Sequence, residues 1–170
     1  SSNPNMQFSE VRLSELFAGI VRDWGKKFAE RKLSIEVTVA PNLPILRADE
    51  TRLQEVLYNL LDNALKYSNP GGKIRLQGQR HDNQIVLSVS DTGVGISEAD
   101  LPRIFERFYR ADKARSTEMG GTGLGLSIVK HIAQMHGGSV QAESRLGLGT
   151  TVSIALPLEP THPQSAVTET

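Results

Sequence analysis

Asn59, Asn63, Lys66 and Tyr67 fall on one flank of a single predicted helix, and their types suit binding a phosphorylated ligand. The stretch Glu55 to Ser68 reads E-V-L-Y-N-L-L-D-N-A-L-K-Y-S. Val56, Leu57, Leu60, Leu61 and Ala64 recur at helical spacing and form a stripe that must face a core. At about 100° per residue, Asn59 and Asn63 stack one turn apart beside that stripe. An Asn oxygen is a neutral ligand suited to a hard cation such as Mg²⁺, which also keeps waters and substrate phosphates. A Lys ammonium is a point charge for phosphate oxygens. A Tyr ring is a flat apolar face with a polar tip, fit to cover a nucleobase. Two helical Asn alone are more often helix caps or solvated amides, and it is the glycine clusters downstream that turn the reading toward a ligand.

Two such clusters stand out. Asp91-Thr92-Gly93-Val94-Gly95-Ile96 follows a predicted strand. An acid at a strand end, followed by alternating glycines, lets backbone pass close to a ligand. Gly120-Gly121-Thr122-Gly123-Leu124-Gly125 opens a helix running to about His136. Glycines there leave backbone N–H groups free for phosphate oxygens. Neither cluster is a P-loop, since no Gly-Lys-Ser or Gly-Lys-Thr occurs. A dinucleotide fingerprint would follow a strand directly, whereas a charged loop precedes Gly121. No H-R-D or D-F-G is present, which excludes the protein kinase pattern.

These residues need a scaffold. An amphipathic helix is predicted from about Leu13 to Arg31, then a half-buried strand from Ser34 to Val39. Ile45 to Arg47 reads as a short strand. Asp49 is a suitable N-cap for the central helix, with Glu50 in its first turn. Asn69-Pro70-Gly71-Gly72 ends that helix. Strands follow over about Lys73–Arg80 and Gln84–Ser90, with His81-Asp82-Asn83 as their turn. Ser97 and Asp100 resemble a capping box before a short helix carrying Leu101, Ile104, Phe105 and Phe108. Arg107 to Gly120 has no period and reads as a mobile loop. Gly137 closes the glycine-opened helix. Strands Ser139–Ser144 and Thr150–Leu156 flank the turn Arg145-Leu146-Gly147-Leu148-Gly149, and from Pro157 the composition predicts a disordered tail.

Composition narrows the function. With Lys+Arg 19 against Asp+Glu 19 the net charge is +0, so no basic nucleic-acid footprint is expected. With Cys 0 there is no disulfide framework, thiolate metal site or cysteine nucleophile. No apolar run reaches membrane-span length and no signal peptide is visible. A cytoplasmic location is expected, with a parent protein that could still be membrane-anchored.

In sequence order, the motifs resemble those of the catalytic and ATP-binding domain of bacterial sensor histidine kinases, a branch of the GHKL superfamily. N-L-L-D-N-A-L-K-Y-S is similar to the N box and D-T-G-V-G-I to the G1 box. I-F-E-R-F-Y-R is similar to the F box, G-G-T-G-L-G-L-S-I-V to the G2 box, and G-L-G-T to the last glycine box. The resemblance covers roughly Phe8 to Pro157. It implies an α/β two-layer sandwich, a mixed β-sheet with helices packed on one face, and a mobile ATP lid. Residues 1–7 would be a linker or expression remnant, 8–157 the catalytic domain and 158–170 the tail. Phe8 to Leu13 would lead in from the helical hairpin upstream.

The same resemblance implies roles. Asn63 would be the principal Mg²⁺ ligand with Asn59 beside it, and Lys66 and Arg110 would touch the phosphates of ATP. Tyr67 would pack near adenine and ribose, and Asp91 would accept from the adenine amine. Gly93, Gly95 and Ile96 would shape that pocket, and Thr150 would hold a water on the adenine side. Gly121, Thr122, Gly123, Leu124 and Gly125 would form the lid hinge and phosphate wall. The phospho-accepting His would lie on dimerisation helices of the same parent protein, outside this chain, and a response regulator would be the downstream partner. Two other functions compete. A GHKL ATPase or anti-sigma serine kinase would place Glu where Asn59 stands. A nucleotide-binding regulator without catalysis would often lack box residues that are all present here.

Overall fold

The computed structural model describes residues 6–109 and 125–158. In chain order these form β1 (Ser9–Val11), α1 (Leu13–Glu30), β2 (Ser34–Val39), β3 (Leu46–Ala48), α2 (Glu50–Tyr67), β4 (Lys73–His81), β5 (Gln84–Asp91), α3 (Gly125–Met135), β6 (Ser139–Arg145) and β7 (Gly149–Pro157). Five strands make one mixed sheet in the order β2-β4-β5-β7-β6, while β1 and β3 pair separately as a short antiparallel ribbon. Only the β2–β4 pair of the large sheet is parallel. A parallel pair needs a crossover, and β3 with α2 supplies it.

Register explains where the core sits. Leu76, Val89, Val152 and Ala142 lie opposite one another across β4, β5, β7 and β6. Gly78, Leu87, Ile154 and Val140 form the next row. These rows face the helices, so alternate residues of each strand are buried. The opposite face carries hydroxyls in pairs, Ser88 with Ser153 and Ser90 with Thr151, each at 2.8 Å. One face of the sheet is therefore packed and the other polar, as expected for largely antiparallel pairing. The result is a two-layer α/β sandwich.

The helices seat themselves by their apolar stripes. In α2, Leu53, Val56, Leu57, Leu60, Leu61, Ala64 and Leu65 are all buried. Each fully buried Leu or Val contributes about 1.5–3 kcal/mol. Asp49 caps α2, its side chain accepting from Arg52 N–H at 3.2 Å. Trp24 of α1 lies tilted over Tyr58 of α2, with ring centroids 5.7 Å apart. At the end of α3, Gly137 takes φ 77°. Gly138 N–H then reaches the Ala133 carbonyl and Gly137 N–H the Gln134 carbonyl, which closes the helix with a Schellman motif.

Four local expectations change. Ser9–Val11, read as a lead-in segment, is a strand because it pairs with Leu46–Ala48. The stretch expected to be a helix from Leu101 is only a 3₁₀ turn, Leu101–Arg103, and Phe108 is exposed with φ 64°. Pro102 sits in that turn's first positions and suits a helix start. Ile104 is buried and Phe105 packs on the core, but Phe108, at positive φ and exposed, falls out of the apolar stripe. His81 belongs to β4, pairing with Gln84, so the hairpin turn is Asp82-Asn83 alone, with Asp82 at φ 55°. Pro157 ends β7 opposite Gln84, and Leu158 still packs on the core. The tail proper, 159–170, and most of the predicted loop fall outside the described residues.

Candidate nucleotide site

The flank of α2 carries the first group of residues. Asn59, Asn63, Lys66 and Tyr67 are all half-buried, beside the fully buried stripe. Asn59 Nδ2 donates to the Glu55 carbonyl at 3.0 Å, which fixes the amide. Its Oδ1 then points at the start of α3: a Cβ on Gly125 would lie 3.3 Å from it. The helix flank and the glycine-opened helix thus meet at an amide oxygen. Two turns further on, Lys66 Nζ pairs with Asp62 at 2.9 Å. The Asp62 side chain is part exposed, 44%, and that of Lys66 16%, so a phosphate at this flank competes with Asp62 for the ammonium.

The second group stands at the end of β5. The cross-strand row after Leu76 and Val89 is Ile74, Asp91, Thr150 and Ser144. Its last three members are polar and lie on the same helix-covered face as the core. Asp91 there accepts from Gly93 N–H at 2.9 Å. Burial pushes its carboxyl above the usual range, and the backbone N–H groups of Gly93 and Thr150 pull it partly back. A carboxylate kept in a partly desolvated place is a strong acceptor for a donor of matching shape.

The loop after Asp91 is clamped from both sides. Val94 N–H bonds to the Tyr67 carbonyl at the end of α2 (3.0 Å), and Gly147 N–H bonds to the Val94 carbonyl (2.8 Å). A Cβ on Gly93 would come within 2.1 Å of the Tyr67 carbonyl, and one on Gly95 within 2.1 Å of the Arg145 carbonyl. Gly95 also adopts φ 74°. Side chains at either position would push the loop off both walls. Ile96 N–H donates to Ser144 Oγ at 2.7 Å, tying the loop to β6. The alternating glycines are thus explained by close backbone approach.

The structure brings together Asn59 and Gly125 on one side, and Asp91, Gly93, Gly95, Ile96 and Thr150 on the other, with Tyr67 joining the two through its carbonyl. Arg110, Gly121, Thr122, Gly123 and Leu124 lie outside the described residues. Before that gap, Asp100 N–H donates to Ser97 Oγ, Ser97 Oγ donates to the Asp100 carboxylate rather than the Ser97 backbone N–H donating as in a capping box, and Tyr109 donates to that carboxylate as well. Sequence reasoning missed Ser144 and His136. Ser144 differs from any other strand Ser only through its register opposite Thr150. His136 is buried at the end of α3 and accepts from Asp49 N–H at 3.1 Å through Nε2. Only three-dimensional packing pairs residues 87 positions apart.

A family model described as "Histidine kinase-, DNA gyrase B-, and HSP90-like ATPase" matches residues 48–160, which hold every one of these site residues. The chain belongs to that family. Within it, the sensor-like histidine kinase SenX3 of Mycobacterium tuberculosis is 46% identical over 133 residues, covering 77% of this chain and 32% of SenX3. The chain therefore spans about a third of that curated relative's length. The nucleotide-free catalytic domain of histidine kinase ThkA superposes with a TM-score of 0.80 at 29% identity, covering 91% of this chain and 98% of that domain. ThkA in complex with response regulator protein TrrA gives 0.76 at 26%, covering 91% of this chain and 43% of ThkA. Full-length ShkA in complex with AMPPNP gives 0.82 at 28%, covering 95% of this chain and 33% of ShkA. The family's ATP-binding sandwich is thus the fold observed here.

Proposed function

We propose that this chain is the ATP-binding catalytic half of a two-component sensor histidine kinase, passing the γ-phosphoryl group of ATP to a His on a dimerisation domain of the same parent. The observation that carries the reading is Asp91, a half-buried carboxylate acceptor at the end of β5 on the helix-covered face, with the α2 flank beside its loop. Asp91 accepts from the exocyclic amine of adenine. The Gly93–Ile96 backbone and Tyr67 enclose the base. Lys66 leaves Asp62 for the phosphates, joined by Arg110 and by Gly121, Thr122, Gly123, Leu124 and Gly125 at the opening of α3.

Asn59 and Asn63 fit a Mg²⁺ ion shared with the phosphates, because their oxygens are neutral and hard and Asn59 Oδ1 is held facing the start of α3. The bound ion supplies charge neutralisation at the phosphate oxygens. Transfer forms a bond from an imidazole nitrogen lone pair to phosphorus and breaks the bond to the bridging oxygen, which leaves on ADP. Apart from neutralising charge, the chain's own task is to hold that geometry. The resemblance to ShkA with AMPPNP supports the nucleotide, and ThkA with TrrA supports a response regulator as the downstream partner.

The test supplies the parent's acceptor helix pair as a separate chain with radiolabelled ATP. Label on the acceptor His that requires this chain and Mg²⁺ is expected. Label that appears without this chain, or only on this chain, overturns the reading.

A further inference from the structure

Ser144 ends β6 in the same cross-strand row as Thr150 and Asp91. Its hydroxyl meets three groups. Ile96 N–H donates to it at 2.7 Å, the Gly149 carbonyl lies at 2.9 Å, and Thr150 Oγ1 lies at 2.8 Å. A hydroxyl has one proton and two lone pairs. The carbonyl has no proton, so that contact is a hydrogen bond only when Ser144 donates to it. Ile96 N–H occupies one lone pair. Thr150 is left the other, and must supply its own proton to use it.

The reverse arrangement has a cost. If Ser144 donated to Thr150, its oxygen would face the Gly149 carbonyl lone pair to lone pair at 2.9 Å. With Ser144 half-buried and Gly149 and Thr150 buried, water screens that repulsion only in part. Only one assignment satisfies all three contacts, and in it the proton of Thr150 is turned toward Ser144. Thr150 Oγ1 then presents lone pairs alone to anything beside Asp91, itself an acceptor. Two adjacent acceptors call for a donor. A ligand oxygen in that position would meet lone pairs from both.

We propose that Ser144 is a positioning residue for base selectivity: by holding the proton of Thr150 it makes that residue an obligate acceptor next to Asp91, and so favours a 6-aminopurine over a 6-oxopurine. The inference rests on the nucleotide reading above. Without Ser144, Thr150 can turn its proton outward and donate to an oxo group.

Calorimetry with ATP and with inosine triphosphate, which carries an oxygen in place of the amine, tests this. In Ser144→Ala the preference for ATP should fall about tenfold, the worth of one hydrogen bond, chiefly through tighter binding of the inosine nucleotide. Ser144→Thr keeps the hydroxyl and should keep the preference. Thr150→Val removes the acceptor and should lower the preference by itself, and adding Ser144→Ala to it should change nothing further. A purely structural Ser144 would loosen the Ile96 loop and weaken both nucleotides alike. An unchanged ratio in Ser144→Ala overturns the proposal. Should that variant fail to fold, an unchanged ratio in Thr150→Val overturns it equally. Absence of ATP binding by the unmodified chain is a different failure: it removes the nucleotide reading and the proposal with it.

Discussion

Asp91 joins two demands in one side chain, since the burial that makes it a selective acceptor also raises its carboxyl pKa. The sign follows directly. A raised carboxyl pKa favours the protonated form in the fold, so its contribution to stability is present at low pH and lost as pH rises through the folded value. For binding the direction is opposite, because only the ionised form accepts freely from an amine. Preference for ATP over inosine triphosphate should therefore hold at neutral pH and decline as pH falls through the raised Asp91 value. Taking the ratio of the two nucleotides cancels the titration of their shared phosphates. Asp91→Asn should show a preference that is lower at neutral pH and flat in this range. A wild-type ratio in that variant would remove Asp91 from base recognition. Asn63→Ala tests the opposite wall: it should weaken binding of ATP with Mg²⁺ sharply, because it removes an oxygen ligand for a hard cation. Equal affinity in calorimetry would take Asn63 out of the metal role. Both residues stand out in the sequence by type and position, and the roles proposed for them rest on the family resemblance. Ser144 was not legible, because its meaning lies in register.

At the scale of elements, α2 and α3 are joined by a contact that no sequence period reveals. Asp49 caps α2 through Oδ1 and accepts from Gln7 N–H through Oδ2 at 2.9 Å. Its own N–H donates to His136 Nε2, while His136 Nδ1 donates to the Ile132 carbonyl at 2.8 Å. This pattern requires the neutral ring. Burial pushes the His136 pKa down, outweighing the opposing effects of the Ile132 carbonyl and Asp49. The linked stability is fully present above the unfolded-state pKa, about 6.5, and is lost as pH falls below it toward the folded value. Chemical denaturation from pH 7.5 downward should show that acid limb. His136→Phe should lack it and should lose about 1–3 kcal/mol at pH 7.5, because the Asp49 N–H is orphaned. A variant as stable as the parent, with the acid limb intact, would refute a stabilising role for the Asp49–His136 hydrogen bond. The helices and the five long strands were legible because their apolar periods are strong and their ends are marked by Asp49, Gly71 and Gly137. β1 was not, because a three-residue strand has no period and exists only through β3. The helix expected after Ser97 is a single 3₁₀ turn, Leu101–Arg103, and the positive φ of Phe108 breaks the helical stripe that its apolar spacing suggests.

At the scale of the whole molecule, the sandwich gathers the candidate nucleotide site, and its three described His residues differ in access. His81 is exposed at a hairpin, His131 is exposed on α3, and His136 is buried and bonded on both nitrogens. His162 lies outside the described residues. Attack by water on a γ-phosphate is helped by a group that takes the water's proton. Asn59, whose Nδ2 is held by the Glu55 carbonyl, presents an amide oxygen toward α3. An amide can orient a water but cannot accept its proton at neutral pH. An imidazole acceptor needs less help, because its neutral nitrogen already carries a lone pair. The chain alone should therefore turn ATP over slowly and leave no stable phosphohistidine on itself. Asn59→Glu places a carboxylate where the amide oxygen faces α3. It should raise hydrolysis about a hundredfold, at the low end of what general-base help contributes, while lowering transfer to a supplied acceptor His. Phosphate release by the chain and by Asn59→Glu, each with and without the acceptor helices, separates the two activities. Fast hydrolysis by the unmodified chain would instead favour the ATPase reading. Label on His81, His131 or His162 would show that an acceptor lies within this chain after all.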